Sequence, residues 1–208
     1  SADGRFQIAE GMILHMKSVM IVGVGGQGTL LASRVLGRVM LDAGYDVKVS
    51  EVHGMSQRGG SVITHVRIGE NVASPLVTPG EADMVIAFEW LEALRSEFYL
   101  RQGGAMIANT HRMLPMPVIM GKAAYPEQTI DGHPLYALDA QELAERCGSV
   151  RAVNIVLLGV LSQLLPWPAE AYEEAVAACV KPATLAVNLA AFRAGRAAYQ
   201  NIAKNEKA

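Results

Sequence analysis

Cysteine is scarce in this chain of 208 residues, where Cys147 and Cys179 are the whole complement. Two thiols so far apart make no C-x-x-C pair. That excludes a disulfide scaffold and leaves no framework for zinc or an iron–sulfur cluster. The expected compartment is a reducing cytoplasm, with both thiols buried as small apolar groups. Charge is scarce as well. Asp, Glu, Lys and Arg make up 18% of the chain and the formal net charge is -2. Nothing in that balance recruits nucleic acid or an anionic membrane. No apolar run approaches the roughly 20 residues that span a bilayer. The most apolar stretch, Val153–Leu165, is broken by Asn154, Ser162 and Gln163. Residues 1–15 carry Asp3, Arg5, Glu10 and His15 and lack the basic start and apolar centre of a signal peptide. They read as an upstream extension or a cloning remnant, with Met16 as the natural start and residues 16–208 as one domain.

What is present is a large apolar fraction, 51% of residues, enough for one continuous core. Ser18–Val22 reads as a strand, Thr29–Ala43 as a helix ended by Gly44, and Val47–Val52 as a second strand. Strand, glycine turn, helix, strand is the βαβ unit of a parallel sheet. Further strands are expected at Val62–Ile68, with one exposed face, at Asp83–Phe88 and at Ala105–Asn109. The proline-bearing stretch Met113–Thr129 reads as loop or edge strand. From Asp139 onward the pattern is helical: Ala140–Arg146, Val153–Leu165, Ala169–Val180 and Ala183–Ala203. The fold class is α/β. It is a Rossmann-like open, mostly parallel sheet with helices on both faces and a helical C-terminal third packed on the same sheet.

Two glycine-rich segments end what read as neighbouring strands. The first is Gly23-Val24-Gly25-Gly26-Gln27-Gly28. G-x-G-x-x-G between a strand and a helix permits a tight turn, close backbone approach to a phosphate, and close helix–strand packing. The helix N-terminus then offers unpaired N–H groups to an anion. The second segment runs from Glu51 through His53, Gly54, Met55, Ser56, Gln57, Arg58 and Gly59 to Gly60. Arg58 is a candidate bidentate contact to phosphate or carboxylate, with Gln57 and Ser56 as donors beside flexible glycines. His53 is the one candidate acid–base residue there, without an evident relay partner. Glu51, at the end of the second strand, is placed where an acid holds the ribose of a bound dinucleotide. Asn109 lies at a strand's C-terminal end, where open α/β sheets bind ligands. His65 and Arg67 share a strand face and read as solvent-facing. His111 and His133 carry no metal-ligand spacing. No residue of this constellation performs redox or group-transfer chemistry alone. Three readings stay open: a subunit of a larger oxidoreductase, a stand-alone NAD- or FAD-dependent enzyme using Glu51, and a nucleotide-sensing module.

The run Gly23-x-Gly25-Gly26-Gln27-Gly28, then Glu51-x-His53-Gly54-Met55-Ser56-Gln57-Arg58-Gly59-Gly60, then His65-Val66-Arg67-Ile68-Gly69, resembles the gamma subunits or domains of 2-oxoacid:ferredoxin oxidoreductases. Within that family it is most similar to the small (beta) subunits of the indolepyruvate enzymes. The resemblance covers Met16 to about Ala203. It implies oxidation of a 2-oxoacid with coenzyme A to acyl-CoA, carbon dioxide and reduced ferredoxin. It places thiamine diphosphate and the 4Fe-4S clusters in a large (alpha) partner subunit, with ferredoxin reached through the complex. It gives the small subunit the part of completing the active site and contacting coenzyme A. Self-association into a homodimer is expected when the true partner is missing.

Overall fold

The computed structural model describes residues 16–54 and 60–205. The strands are β1 (Lys17–Val24), β2 (Asp46–His53), β3 (Ser61–Gly69), β4 (Ala82–Ala87), β5 (Leu100–Asn109) and β6 (Leu135–Leu138). The helices are α1 (Thr29–Asp42), α2 (Trp90–Ser96), α3 (Met116–Ile119), α4 (Ala140–Arg146), α5 (Val153–Leu161), α6 (Ala169–Cys179) and α7 (Leu185–Asn205). The six strands form one sheet in the order β2-β3-β1-β4-β5-β6. β1, β4, β5 and β6 pair in parallel, while β3 runs antiparallel to both β1 and β2. Five strands therefore share one direction and only β3 is reversed.

That reversal corrects the reading of β1 and β2 as neighbours, because β3 lies between them. Residues 54–60 are too few for a crossover between parallel strands, which takes about a dozen residues or more. The chain leaving β2 must fold straight back, and β3 fills the space beside β1, with Val22 opposite Ile63 and Val52 opposite Ile63 on the other side. β3 is also covered on both faces, with Val66 and Ile68 in one core and Ile63 against the other. Thr64 and His65 are buried accordingly. The His65 Nδ1 accepts the Val77 N–H at 3.2 Å, and its ring meets Tyr99 edge-on. Its solvent-facing assignment is thus overturned.

Each helix has a local cause. α1 closes with Gly44 in the left-handed region at φ 88°. There the Gly44 N–H reaches the Leu41 carbonyl at 2.9 Å and the Tyr45 N–H reaches that of Met40 at 3.0 Å. α2 and α4 are capped by the Glu89 and Asp139 side chains, which accept from the Glu92 N–H and the Glu142 N–H. One helical turn, α3, forms inside the proline-bearing stretch. Pro115 precedes it in extended conformation, and Pro117 sits in its first turn, where no N–H is needed. β6 follows that stretch and had no separate sequence signal.

Two cores flank the sheet. On one face Val19, Ile21, Ile86 and Ile107 meet α1, α4, α5, α6 and α7. On the other Met20, Val22, Val85 and Met106 meet α2 and Ile130. The C-terminal helices thus join the same core as the sheet. Cys147 and Cys179 pack against its margin and are only partly buried, which corrects their placement inside. Among the described residues no helix is long and apolar enough to cross a membrane.

Candidate functional site

β1 and β4 are adjacent and parallel, yet the helices that follow them lie on opposite faces. That divergence is the switch point at which an open α/β sheet leaves a crevice beyond its strand ends. The first glycine loop closes it from one side. The Val24 N–H donates to Gln27 Oε1 at 2.7 Å, and Gln27 Nε2 donates to the Phe88 carbonyl at 3.4 Å. The amide side chain thereby braces the loop from within. A Cβ on Gly23 would stand 2.7 Å from that same Oε1. Gly26 takes φ 97° with open space around it.

Gly28 takes φ 84° and is the residue that precedes α1, so the helix starts without a side-chain cap and without an acid in its first turn. The start of α1 adjoins the crevice through Gly28, and the Glu51 carboxylate reaches the hydroxyl of its first residue, Thr29. Asn154, on α5, donates from Nδ2 to the Gly28 carbonyl at 3.1 Å, and a Cβ on Gly28 would lie 2.5 Å from that nitrogen.

The second segment meets the first through its base. The Gly25 N–H donates to the Gly60 carbonyl at 2.9 Å, and the Gly54 N–H to the Ser61 carbonyl at 2.9 Å. Gly54, Gly60 and Gly25 therefore gather at one edge of the sheet, although β3 separates β1 from β2. Ser56, Gln57, Arg58 and Gly59 lie outside the described residues.

Glu51 is engaged on both oxygens. Oε2 accepts from Thr29 Oγ1 at 3.2 Å and from Thr64 Oγ1 at 3.0 Å, while Oε1 lies 2.8 Å from His53 Nε2. His53 is mostly exposed and oriented by this carboxylate. The pairing joins residues two apart on one strand face, a signal that alternation along β2 carries. Its hydroxyl and imidazole partners take up three of the roughly four acceptor positions of the carboxylate.

A cavity of about 570 Å3 opens over the first loop. Its walls include Gly26, Gly28, Asn109, His111, Met113 and Arg151. Asn109 is buried and works as a cross-brace. Its Nδ2 donates to the Phe88 carbonyl at 3.2 Å, and its Oδ1 accepts from the Ala140 N–H at 3.1 Å. The wall behind Met113 is held by Glu89, which is 1% exposed. Glu89 Oε1 accepts from the Met113 N–H at 2.9 Å and the Tyr125 hydroxyl at 3.0 Å. Burial, reinforced by Glu89, raises the Tyr125 pKa, which keeps that hydroxyl a donor. Glu89 and Arg151 escaped the sequence reading. A carboxylate directly after a buried strand was the available signal for Glu89, whereas nothing local marked Arg151.

No Asp or Glu lines this cavity. Gly26 and Gly28, His111 and Arg151 are among its lining, so polar N–H groups and a cation face it. Among the described residues no three His, Cys, Asp or Glu side chains gather as a metal site.

Comparison with known proteins identifies the family and the fold. The family described as "Pyruvate ferredoxin/flavodoxin oxidoreductase" matches residues 18–198. The chain is 44% identical over 190 residues to "Indolepyruvate oxidoreductase subunit IorB" of Thermococcus kodakarensis, covering 86% of this chain and 93% of that protein. The subunit of the same name from Archaeoglobus fulgidus is 41% identical over 187 residues, covering 86% and 92%. Among solved structures, the gamma subunit of a keto/oxoacid ferredoxin oxidoreductase from Geobacter sulfurreducens has the same fold, with a TM-score of 0.69 at 22% identity over 89% of this chain and 99% of that one. The 2-oxoglutarate:ferredoxin oxidoreductase of Magnetococcus marinus, solved with 2-oxoglutarate, coenzyme A and succinyl-CoA bound, contains the fold in 32% of its chain. There it covers 90% of this chain, with a TM-score of 0.72 at 21% identity.

Proposed function

This chain belongs to the pyruvate ferredoxin/flavodoxin oxidoreductase family, and on that premise we propose that it is the small subunit of a cytoplasmic enzyme oxidising an arylpyruvate such as indolepyruvate. The 2-oxoacid and the thiol of coenzyme A become an acyl-CoA, carbon dioxide and a proton, and two electrons pass to ferredoxin. In the large subunit, thiamine diphosphate supplies the carbon–carbon chemistry and 4Fe-4S clusters conduct the electrons. The present chain binds and orients the co-substrate. What supports this reading above all is the cavity over Gly26 and Gly28, whose lining holds His111 and Arg151 and no carboxylate.

In this assignment the amides around Gly26 and Gly28, with the start of α1, hold the diphosphate of coenzyme A, while the Gly25 N–H, spent on the Gly60 carbonyl, ties the two glycine segments together. Gly23, Gln27 and Asn109 fix the loop that presents them. Arg58, flanked by Ser56, Gln57, Gly59 and Gly60, adds a charged contact from the second segment. His53, oriented by Glu51 beside Gly54, is the candidate proton acceptor at the margin. Arg58→Ala in the assembled enzyme is expected to raise the KM for coenzyme A by about tenfold, the cost of one charged hydrogen bond, with the oxoacid KM unchanged. Unaltered KM values for both substrates would contradict the assignment.

A further inference from the structure

Large apolar side chains are exposed in one concentrated run. Met113, Leu114, Met116, Ile119 and Met120 are each between 41% and 62% exposed, five such residues within eight positions. They lie on α3 and the turn before it, at the sheet end that carries the first glycine loop, because β5 ends there at Asn109. The run is pinned outward. Buried Glu89 accepts from the Met113 N–H at its start and from the Tyr125 hydroxyl beyond its end. Between those pins the Met120 N–H reaches the Met116 carbonyl at 2.9 Å, and the Lys122 N–H reaches that of Pro117 at 2.8 Å. Turning the strap inward would leave a buried carboxylate without its donors. The Arg112 guanidinium lies 5.3 Å from the Tyr125 ring centre. From residue 110 to residue 126 the sequence has cations at Arg112 and Lys122 and no Asp or Glu.

A methionine-rich apolar face adapts its shape to an opposing apolar surface, and a concentrated apolar patch marks an interaction site. The rim selects the partner by charge. With Arg112 and Lys122 and no carboxylate, it fits an apolar surface edged by Asp and Glu. Position selects the partner as well. Met113 and the exposed Val150 both line the cavity of about 570 Å3, so the patch continues across the mouth of the candidate site. In the functional reading above the reacting centre belongs to the large subunit, which has to approach that mouth. We propose that the strap Met113–Met120 is the docking face for the large subunit, which meets it with an apolar surface rimmed by carboxylates. This rests on the functional reading and adds to it the surface and the charge of the contact.

The test isolates a tagged chain anaerobically from its native source and measures the large subunit recovered per tagged chain. Met116→Glu and Ile119→Glu should each lower that recovery about tenfold, since a charge is then buried against an apolar surface. Both side chains are exposed, so the melting temperature of the isolated chain should not move. Ile119→Leu should keep the partner. So should Leu76→Glu, which puts the same charge on a residue 52% exposed in the loop between β3 and β4, at the opposite end of the sheet. Added salt should loosen the wild-type complex, and Lys122→Ala should blunt that response. Full recovery of the partner by both strap variants, an equal loss with Leu76→Glu, or a complex indifferent to salt would overturn the proposal while leaving the functional reading in place. So would wild-type binding to anionic phospholipid vesicles that Ile119→Glu abolishes while the partner stays bound. A wild-type chain recovered without any large subunit would overturn the functional reading itself.

Discussion

Gly28 shows how closely the site is specified at single positions. A side chain there meets two obstacles: the left-handed backbone and the Asn154 amide 2.5 Å away. Gly28→Ala is expected to destabilise the protein by about 2 kcal/mol, the sum of backbone strain and overlap. Removing the neighbour with Asn154→Ala should recover part of that loss, so the pair should be non-additive in urea unfolding. His65 makes a different statement. Burial, with the Arg67 charge second, lowers its pKa, and Nδ1 is already occupied by the Val77 N–H. The native state therefore resists a proton that the unfolded chain accepts below about pH 6.5. The stabilisation is complete above that value and is lost as pH falls through the folded pKa. Between about pH 7.5 and pH 5.5 the urea midpoint should fall more steeply for the wild type than for His65→Gln, because that variant has no ring to titrate.

Among the elements, β1, α1 and the stop at Gly44 were legible because each carries its own signal: an apolar run, a helical period and a left-handed glycine. The Gly23–Gly28 turn was legible for the same reason. The place of β3 was not, because its sequence alternates like a half-exposed strand and only its neighbours bury it. β6 is four residues long and borrows its pairing from β5, so no local pattern announces it. The Glu89 brace joins residues 24 and 36 positions apart, beyond any periodicity. Arg151 entered the site because α4 and α5 pack where they do. The α5–α7 crossing carries its own test. A Cβ on Gly195 would lie 1.9 Å from the Val156 carbonyl oxygen, and one on Gly159 would lie 2.2 Å from that of Phe192. Gly195→Ala should force the helices apart and cost about 3 kcal/mol or more. Gly37→Ala, in α1, meets only a Val47 methyl at 3.8 Å. It should be neutral or stabilise by up to about 1 kcal/mol through helix propensity. Thermal unfolding of the two variants checks the contrast.

As a whole molecule, the chain carries a cavity free of carboxylates over its first glycine loop and, in His53, an imidazole paired with Glu51. Its two cysteines fall short of the four that a 4Fe-4S cluster takes. The Magnetococcus enzyme holds the same fold as about a third of a longer chain, whereas the Thermococcus subunit is matched across nearly its full length. One architecture is thus found both as a separate subunit and as part of a larger polypeptide. The most direct measurement is anaerobic isolation of this chain from its native source, followed by assay of whatever accompanies it. The account predicts a large, brown, thiamine-dependent partner, and a complex that reduces ferredoxin with indolepyruvate only when coenzyme A is present. Recovery of the chain alone, at native abundance and without such a partner, would contradict it.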